Sequence, residues 1–370
     1  MKKSLIALAA LGTLASAAMA QSSVTVYGII DLGLVKQNRA DAEYALGGVG
    51  MQNEELNVAQ ATKSRIGFRG VEDLGGGLSA KFGLEHRLQP DVGATNTSGG
   101  NQFWDMSIVG LTSQTFGEIT LGRDYGPTFY AQYLLDPWLN QGIAEVGGTS
   151  YAFAGYNAGN HQARLNDAIF YKAKAAGFTF MAAASMSEKD GTDNRYAVGA
   201  MYEAGPLFLT AAYDQSPSQI NNDETDTLFI IGGAYDFGAI KPRVSFAQSK
   251  IQTPFGGEAK PKSFTLAATA PLGGGLLKVG YTQIDWDNPN PLLQAGILGK
   301  LLDSDSSNDA AAVGARTALL AAGDTKQRKF SLGYEYSLSK RTAIYTDVTS
   351  GKTKNSDTVT GIDLGIRHAF

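Results

Sequence analysis

Two-residue alternation runs through this chain from "VTVYGIIDLGL" near its start to "TGIDLGIRHAF" at its end, and it limits the possible folds more than any other feature. In the first stretch Val24, Val26, Gly28, Ile30 and Leu32 share one face, while Thr25, Tyr27, Ile29 and Asp31 share the other. In "LSAKFGLEHRL", Leu78, Ala80, Phe82, Leu84 and Leu88 stand opposite Ser79, Lys81, Glu85 and Arg87. In "RKFSLGYEYS", Phe330, Leu332, Tyr334 and Tyr336 stand opposite Lys329, Ser331 and Glu335. A period of two belongs to a β-strand whose faces meet different surroundings. Similar stretches begin near Lys63, Gln102, Gly117, Arg164, Gly177, Asn194, Pro206, Asp226, Lys241, Ser263, Leu276, Thr342 and Thr358. Together they predict roughly sixteen strands of ~10 residues, the even number expected of an outer-membrane barrel.

The connections alternate in length. "EDLGGG", "SQTFG", "KAAG", "EAGP", "DFGAI", "PLGGG" and "SLSK" follow every second strand and have the Gly, Ser and Asp content of tight turns. The connections between them are longer and polar. Short turns on one side and long loops on the other are the asymmetry of a transmembrane barrel. In lipid an open sheet edge has no water to bind, so the first and last strands must pair. On this reading Ile362, Leu364, Ile366 and Phe370 face lipid, Asp363 and Arg367 face the lumen, and Phe370 lies at an interface.

The first twenty residues, "MKKSLIALAALGTLASAAMA", have a charged head, a short apolar middle and Ala18-Met19-Ala20. They read as a cleaved signal peptide, with residues 21–370 as one barrel domain. The apolar middle is shorter than a spanning helix of ~20 residues. There are no cysteines, which excludes disulfides and thiolate sites. The 31 basic and 35 acidic residues become 29 and 35, a balance of −6, once the two leader lysines are set aside. A mildly acidic balance argues against nucleic acid as a partner.

Three segments, "SRIGFRGVEDLGGGLSAKFGLE" (64–85), "VGLTSQTFGEITLGRD" (109–124) and the ending "DLGIRHAF", resemble the general porins of beta-proteobacterial outer membranes. The resemblance runs over nearly all of the chain after the leader. It implies an all-β, transmembrane antiparallel barrel of sixteen strands, assembled as a homotrimer, with the third long loop folded inward. It also implies that the terminal aromatic, Phe370, is read by the outer-membrane assembly machinery.

The third long loop spans about 124–163 and is rich in Tyr, Phe, Trp and Gly. A connection that long is usually functional, although most of its aromatics are expected to pack it against the wall. Asp136 and Glu145 are its clearest acids. Facing wall arginines, they would set a transverse field across a narrow opening. Alternation turns Arg65, Arg69, Lys81, Glu85, Arg87, Arg164 and Lys172 inward, and Arg123 closes the strand where the loop starts. In similar porins arginines on three strands form a basic cluster. Arg65 and Arg164 match two of these positions, but Asp105 stands at the third, a departure that either weakens the expected anion preference or reverses it. Positive groups at a constriction favour anions.

No reaction chemistry stands out. His86 and His368 fall on outward faces, and His161 in the loop has no serine and carboxylate at a triad's spacing. "LGGGL" at 74–78 and 272–276 leads into strands, which fails the context of a phosphate loop. "NTS" at 96–98 is a weak glycosylation match in a loop. Residues 287–329 read as the seventh outer loop, with a short helix capped by Asn308. The expected function is passive diffusion of ions and small hydrophilic solutes through a water-filled channel in outer-membrane lipid, weakly anion-preferring, with no cofactor. One alternative is a channel selective for sugars or small aromatic acids, using the loop aromatics. Another is a closed adhesive barrel using the seventh loop.

Overall fold

A computed structural model describes residues 23–38, 55–95, 103–147, 163–187, 194–218, 224–252, 258–286, 325–353 and 358–370. The leader 1–20, His161, "NTS" and residues 287–324 of the seventh loop lie outside the described residues. Sixteen long strands form the wall. They are β1 (Ser23–Gln37), β2 (Arg65–Gly75), β3 (Leu78–Gln89), β4 (Met106–Ser113), β5 (Gly117–Tyr125), β6 (Arg164–Ala175), β7 (Phe178–Ser185) and β8 (Arg195–Ala204). The second half comprises β9 (Leu207–Pro217), β10 (Thr225–Tyr235), β11 (Lys241–Gln252), β12 (Lys262–Leu272), β13 (Gly275–Trp286), β14 (Thr325–Ser337), β15 (Thr342–Thr353) and β16 (Thr358–Ala369). Short strands Asn57–Ala59, Ala94–Thr95 and Glu258–Ala259 extend the rim, and helix α1 (Pro127–Tyr133) lies in the third long loop. All sixteen strands begin within a few residues of the starts predicted from alternation.

Each strand pairs antiparallel with its neighbours, and the ring closes between β1 and β16, from Ile29↔Ala369 to Gln37↔Gly361. The other half of β1 pairs β2, from Ser23↔Val71 to Ile29↔Arg65. β1 therefore hands over from one partner to the other near Ile29, the stagger that strand tilt in a closed barrel requires. Phe370 continues the seam: its N–H donates to Gly28 O at 3.1 Å, and Gly28 N–H donates to Phe370 O at 3.2 Å.

The sheet is apolar outside and polar inside. Val24, Val26, Val109, Val198, Phe229, Leu266, Leu332 and Leu364 are exposed on the outer face. Asp31, Asp214, Ser245, Thr265, Thr282, Lys329 and Asp363 are buried on the inner one. This inverts a soluble protein and suits a wall with lipid outside. The short turns run from two residues (Gly76 and Gly77) to five (236–240). Gly273 and Gly274 adopt φ of 56° and 85°, the two positive values of a type I′ hairpin. Aromatics collect near this end: Tyr171 donates to Phe116 O and Tyr334 to Leu272 O, both at 2.8 Å, and Phe178 stacks on Phe180 with Tyr202 tilted against it. A second group lies at the long-loop end, where His86 stacks on Phe103 at 4.0 Å with Trp104 edge-on. Both are placed like interfacial girdles.

The third long loop lies inside the barrel. Ala131 of α1 packs on Leu228 and Ile230, which point inward from β10. Leu135 follows against Phe208 and Ala234, Trp138 and Val146 against Ala267, and Ile143 against Val35. Two inward glycines allow this close approach. A Cβ at Gly232 would stand 2.3 Å from Leu135 Cδ1, and one at Gly280 would stand 2.9 Å from both Trp138 and Val146.

The seam generates a stability prediction. A Cβ at Gly28 would lie 2.5 Å from Arg65 O and 2.3 Å from Phe370 Cζ. Gly28→Ala should cost ~1–3 kcal/mol through overpacking. The measurement is thermal unfolding in detergent, followed by loss of the compact band on gels. An unchanged midpoint would count against a tightly packed seam.

Candidate functional site

The basic wall is built on β2, β3 and the first residue of β6. Arg65 and Arg87 are direct cross-strand partners, and like charges in such a position repel. Glu85, two residues before Arg87, lies between them. Its Oε1 is 3.1 Å from Arg87 Nη2 and its Oε2 is 3.6 Å from Arg65 Nε. Tyr27 donates to Glu85 Oε2 at 3.3 Å. Asp105, just before β4, accepts Arg87 N–H at 3.1 Å through Oδ2 and pairs with Arg164 Nη1 at 3.3 Å through Oδ1.

Tyr125 joins these groups to the loop. Its hydroxyl accepts from Arg87 Nη2 at 3.1 Å and from Arg164 Nη2 at 2.6 Å. The Arg164 guanidinium lies 4.2 Å from the centre of the Tyr125 ring. Phe129 of α1 stacks on Tyr125 at 3.8 Å, and Tyr133, one helical turn further, stacks on Phe129 at 5.4 Å. The aromatics thus form a column rising from the wall onto the loop.

The segment before β2 hooks inward. Asp31, fully buried on β1, accepts Ala61 N–H through Oδ1 and Thr62 N–H through Oδ2, both at 3.1 Å. Gln141 Oε1 of the loop accepts Lys63 N–H, and Gln60 Oε1 accepts Ser64 N–H, both at 2.7 Å. Four consecutive amides are therefore held by side chains. Arg87 Nη1 also donates to Lys63 O at 3.3 Å. The Lys63 side chain is exposed, yet Arg87, Arg164, Asp105 and Glu145 surround it, so the water it meets is lumen water. Enclosure by the wall, with the positive charges of Arg87 and Arg164 beside it, lowers its ammonium to a pKa of about 8.

The structure brings Arg65, Glu85, Arg87, Asp105 and Arg164 into one cluster. Lys81 lies on the same wall, 2.9 Å from Glu118 and within electrostatic reach of Asp124. Glu145 is buried on the far limb of the loop beside Lys63. Two expected members stand apart. Arg123 donates to Asn166 Oδ1 across a bulge at which the register of β5 and β6 shifts between Gly122 and Asp124. Asp167 has a φ of 47° there, so alternation does not carry across to Arg164, and its contacts locate it instead. Asp136 is 1% exposed and folds the loop rather than facing the arginines. It accepts N–H groups from Trp138, Asn140 and Gly147 at 3.0 Å and from Val146 at 3.2 Å.

The sequence reading missed Lys63, Asp124, Glu118 and Tyr125. Lys63 had an available signal, since it continues the inward parity of Arg65 and Arg69. Tyr125 had none, because its role depends on where the loop turns. Among the described residues no group of His, Cys, Asp and Glu is arranged to hold a metal.

A closed barrel, apolar outside and charged inside, with a loop narrowing its lumen, defines a membrane channel. The chain matches the Gram-negative porin family over residues 7–356 and belongs to it. It is 34% identical to outer membrane porin protein 32 of Delftia acidovorans, with both chains covered in full. It is 31% identical to an outer membrane porin protein of Bordetella pertussis, again over the whole of both. Among solved structures, the anion-selective porin from Comamonas acidovorans superposes with a TM-score of 0.73 at 28% identity, covering 95% of this chain and 100% of that one. OmpT of Vibrio cholerae, in a trimer form, shares the fold at a TM-score of 0.66 and 14% identity. The protein is an outer-membrane porin.

Asp136→Ala would leave four loop amides unpaired at ~1–3 kcal/mol each. The expected result is faster proteolysis between residues 136 and 147 and noisier single-channel current. A variant as protease-resistant and quiet as the wild type would show that apolar docking alone holds the loop.

Proposed function

We propose that this porin is a general diffusion channel, passive and water-filled, with weak anion preference. The observation that carries the reading is the wall cluster of Arg65, Arg87 and Arg164 beside the inward loop, where each arginine lies against Glu85 or Asp105. Cations at a constriction favour anions, and paired carboxylates reduce that preference without abolishing the field. The anion-selective label of the Comamonas acidovorans porin supports the same sign. The aromatic column does not favour a sugar or aromatic-acid track. Arg164 and Phe129 already flank the Tyr125 ring, and Phe129 stacks against both Tyr125 and Tyr133.

The rest of the reading follows the family. Residues 1–20 are removed on export, three copies assemble as in the Vibrio cholerae trimer, and Phe370 serves recognition by the assembly machinery. Transport needs no cofactor and involves no reaction.

Planar-bilayer recording tests the reading. The expected result is stepwise conductance with a reversal potential of anion sign in a salt gradient. Insertion without conductance would overturn it. Asp105→Asn keeps an acceptor for Arg87 N–H but releases Arg164 from its partner. It should raise the anion-over-cation permeability ratio by about two- to threefold, as one unit charge a few ångströms from the ion path does in water. An unchanged reversal potential would mean that Asp105 lies away from the permeation path.

A further inference from the structure

We propose that Lys63 is a specificity-determining cation of this channel: its ammonium supplies an unpaired positive charge that an entering anion meets beside the wall cluster. The proposal rests on the channel reading above and extends it to one side chain. Each arginine of the wall cluster is answered by a carboxylate: Arg65 and Arg87 by Glu85, and Arg164 by Asp105. Elsewhere in the lumen Lys278 and Arg367 share Glu335. Their fields are largely those of ion pairs and fall off over a short distance.

Lys63 differs in two ways. Its side chain is exposed to the lumen, and no described carboxylate forms an ion pair with it; Arg69, also exposed and without a carboxylate partner among the described residues, lies instead 5.2 Å over the Tyr27 ring, further along β2. Its position is also built. Asp31, Gln60 and Gln141 hold the amides of residues 61–64, drawing on the wall, the hook itself and the inward loop. A charge on a preorganised backbone acts at a fixed point, whereas a charge on a free loop averages over many.

The chemistry makes the charge conditional. The groups around the ammonium are Arg87 on β3, Arg164 on β6, Asp105 before β4 and Glu145 on the loop. Enclosure and the two guanidinium groups favour the neutral amine, and the two carboxylates oppose them. With its pKa lowered to about 8, Lys63 is charged at neutral pH and loses that charge as pH rises through the value. An ordinary lysine, near 10.4, would keep it.

The experiment measures reversal potentials in a salt gradient for the full chain in planar bilayers, between about pH 6.5 and about pH 9.5. Wild type is compared with Lys63→Gln and Lys63→Arg. The wild-type anion-over-cation ratio should fall about two- to threefold across the range. Lys63→Gln should start at the low ratio and stay there, while Lys63→Arg should stay high throughout. A wild-type ratio flat with pH, or Lys63→Gln matching the wild type at neutral pH, would overturn the proposal. So would a pH-dependent fall that survives in Lys63→Arg, since another group would then be titrating. Wild-type protein that inserts without conducting would overturn the channel reading, and this proposal with it.

Discussion

Inside a bilayer no water reaches the backbone, so every strand N–H and C=O must find its partner in another strand. For this chain that means β1 has to meet β16, and the architecture follows from the seam. The pairing from Ile29↔Ala369 to Gln37↔Gly361 removes both free edges. Phe370 extends it by two hydrogen bonds to Gly28. Once the ring is closed, side chains have two destinations. Lipid takes Val24, Phe229 and Leu364, and the interior takes Asp31, Thr265 and Lys329.

Closure encloses a space, and the third long loop partly fills it. This loop is docked as a core is docked, with apolar groups against apolar groups and polar groups against matched partners. Leu228 and Ile230 would be misplaced in a wet lumen, but Ala131 covers them. Trp138 packs near Ala267 and donates its indole N–H to Asp347 at 2.7 Å. Asp136 ties four amides of the loop to one another. The loop is thus held at several points around the wall, beside the cluster of Arg65, Arg87 and Arg164, in which Arg87 is buried.

Charge in that cluster is local and largely paired. Glu85 offsets two arginines that the strand register forces into opposition, and Asp105 answers the third. Tyr125 ties two of these arginines to the aromatic column. Selectivity in such a channel depends less on the number of cations than on which of them lack a partner, and that distinction cannot be read from composition.

Alternation by itself determined the strand number, the strand starts, the inside and outside of each strand, and the inward direction of Arg65, Arg87 and Asp363. It could do so because a period of two is a property of each strand alone, and lipid enforces it along the whole chain. It also carried a signal that went unread. "LFIIGG" in β10 is apolar on both faces, which marks where the loop lands. Only the tertiary structure decided the roles of Asp136, Arg123 and Lys63. Asp136 looked like a pore acid until the loop folded around it, and Arg123 meets Asn166 beside a bulge that no strand pattern announces. Lys63 became distinctive because partners from β1, β3 and the third loop converge on its hook. The reason is physical: a side chain's direction is set by its own strand, but its charge environment is set by residues far away in sequence.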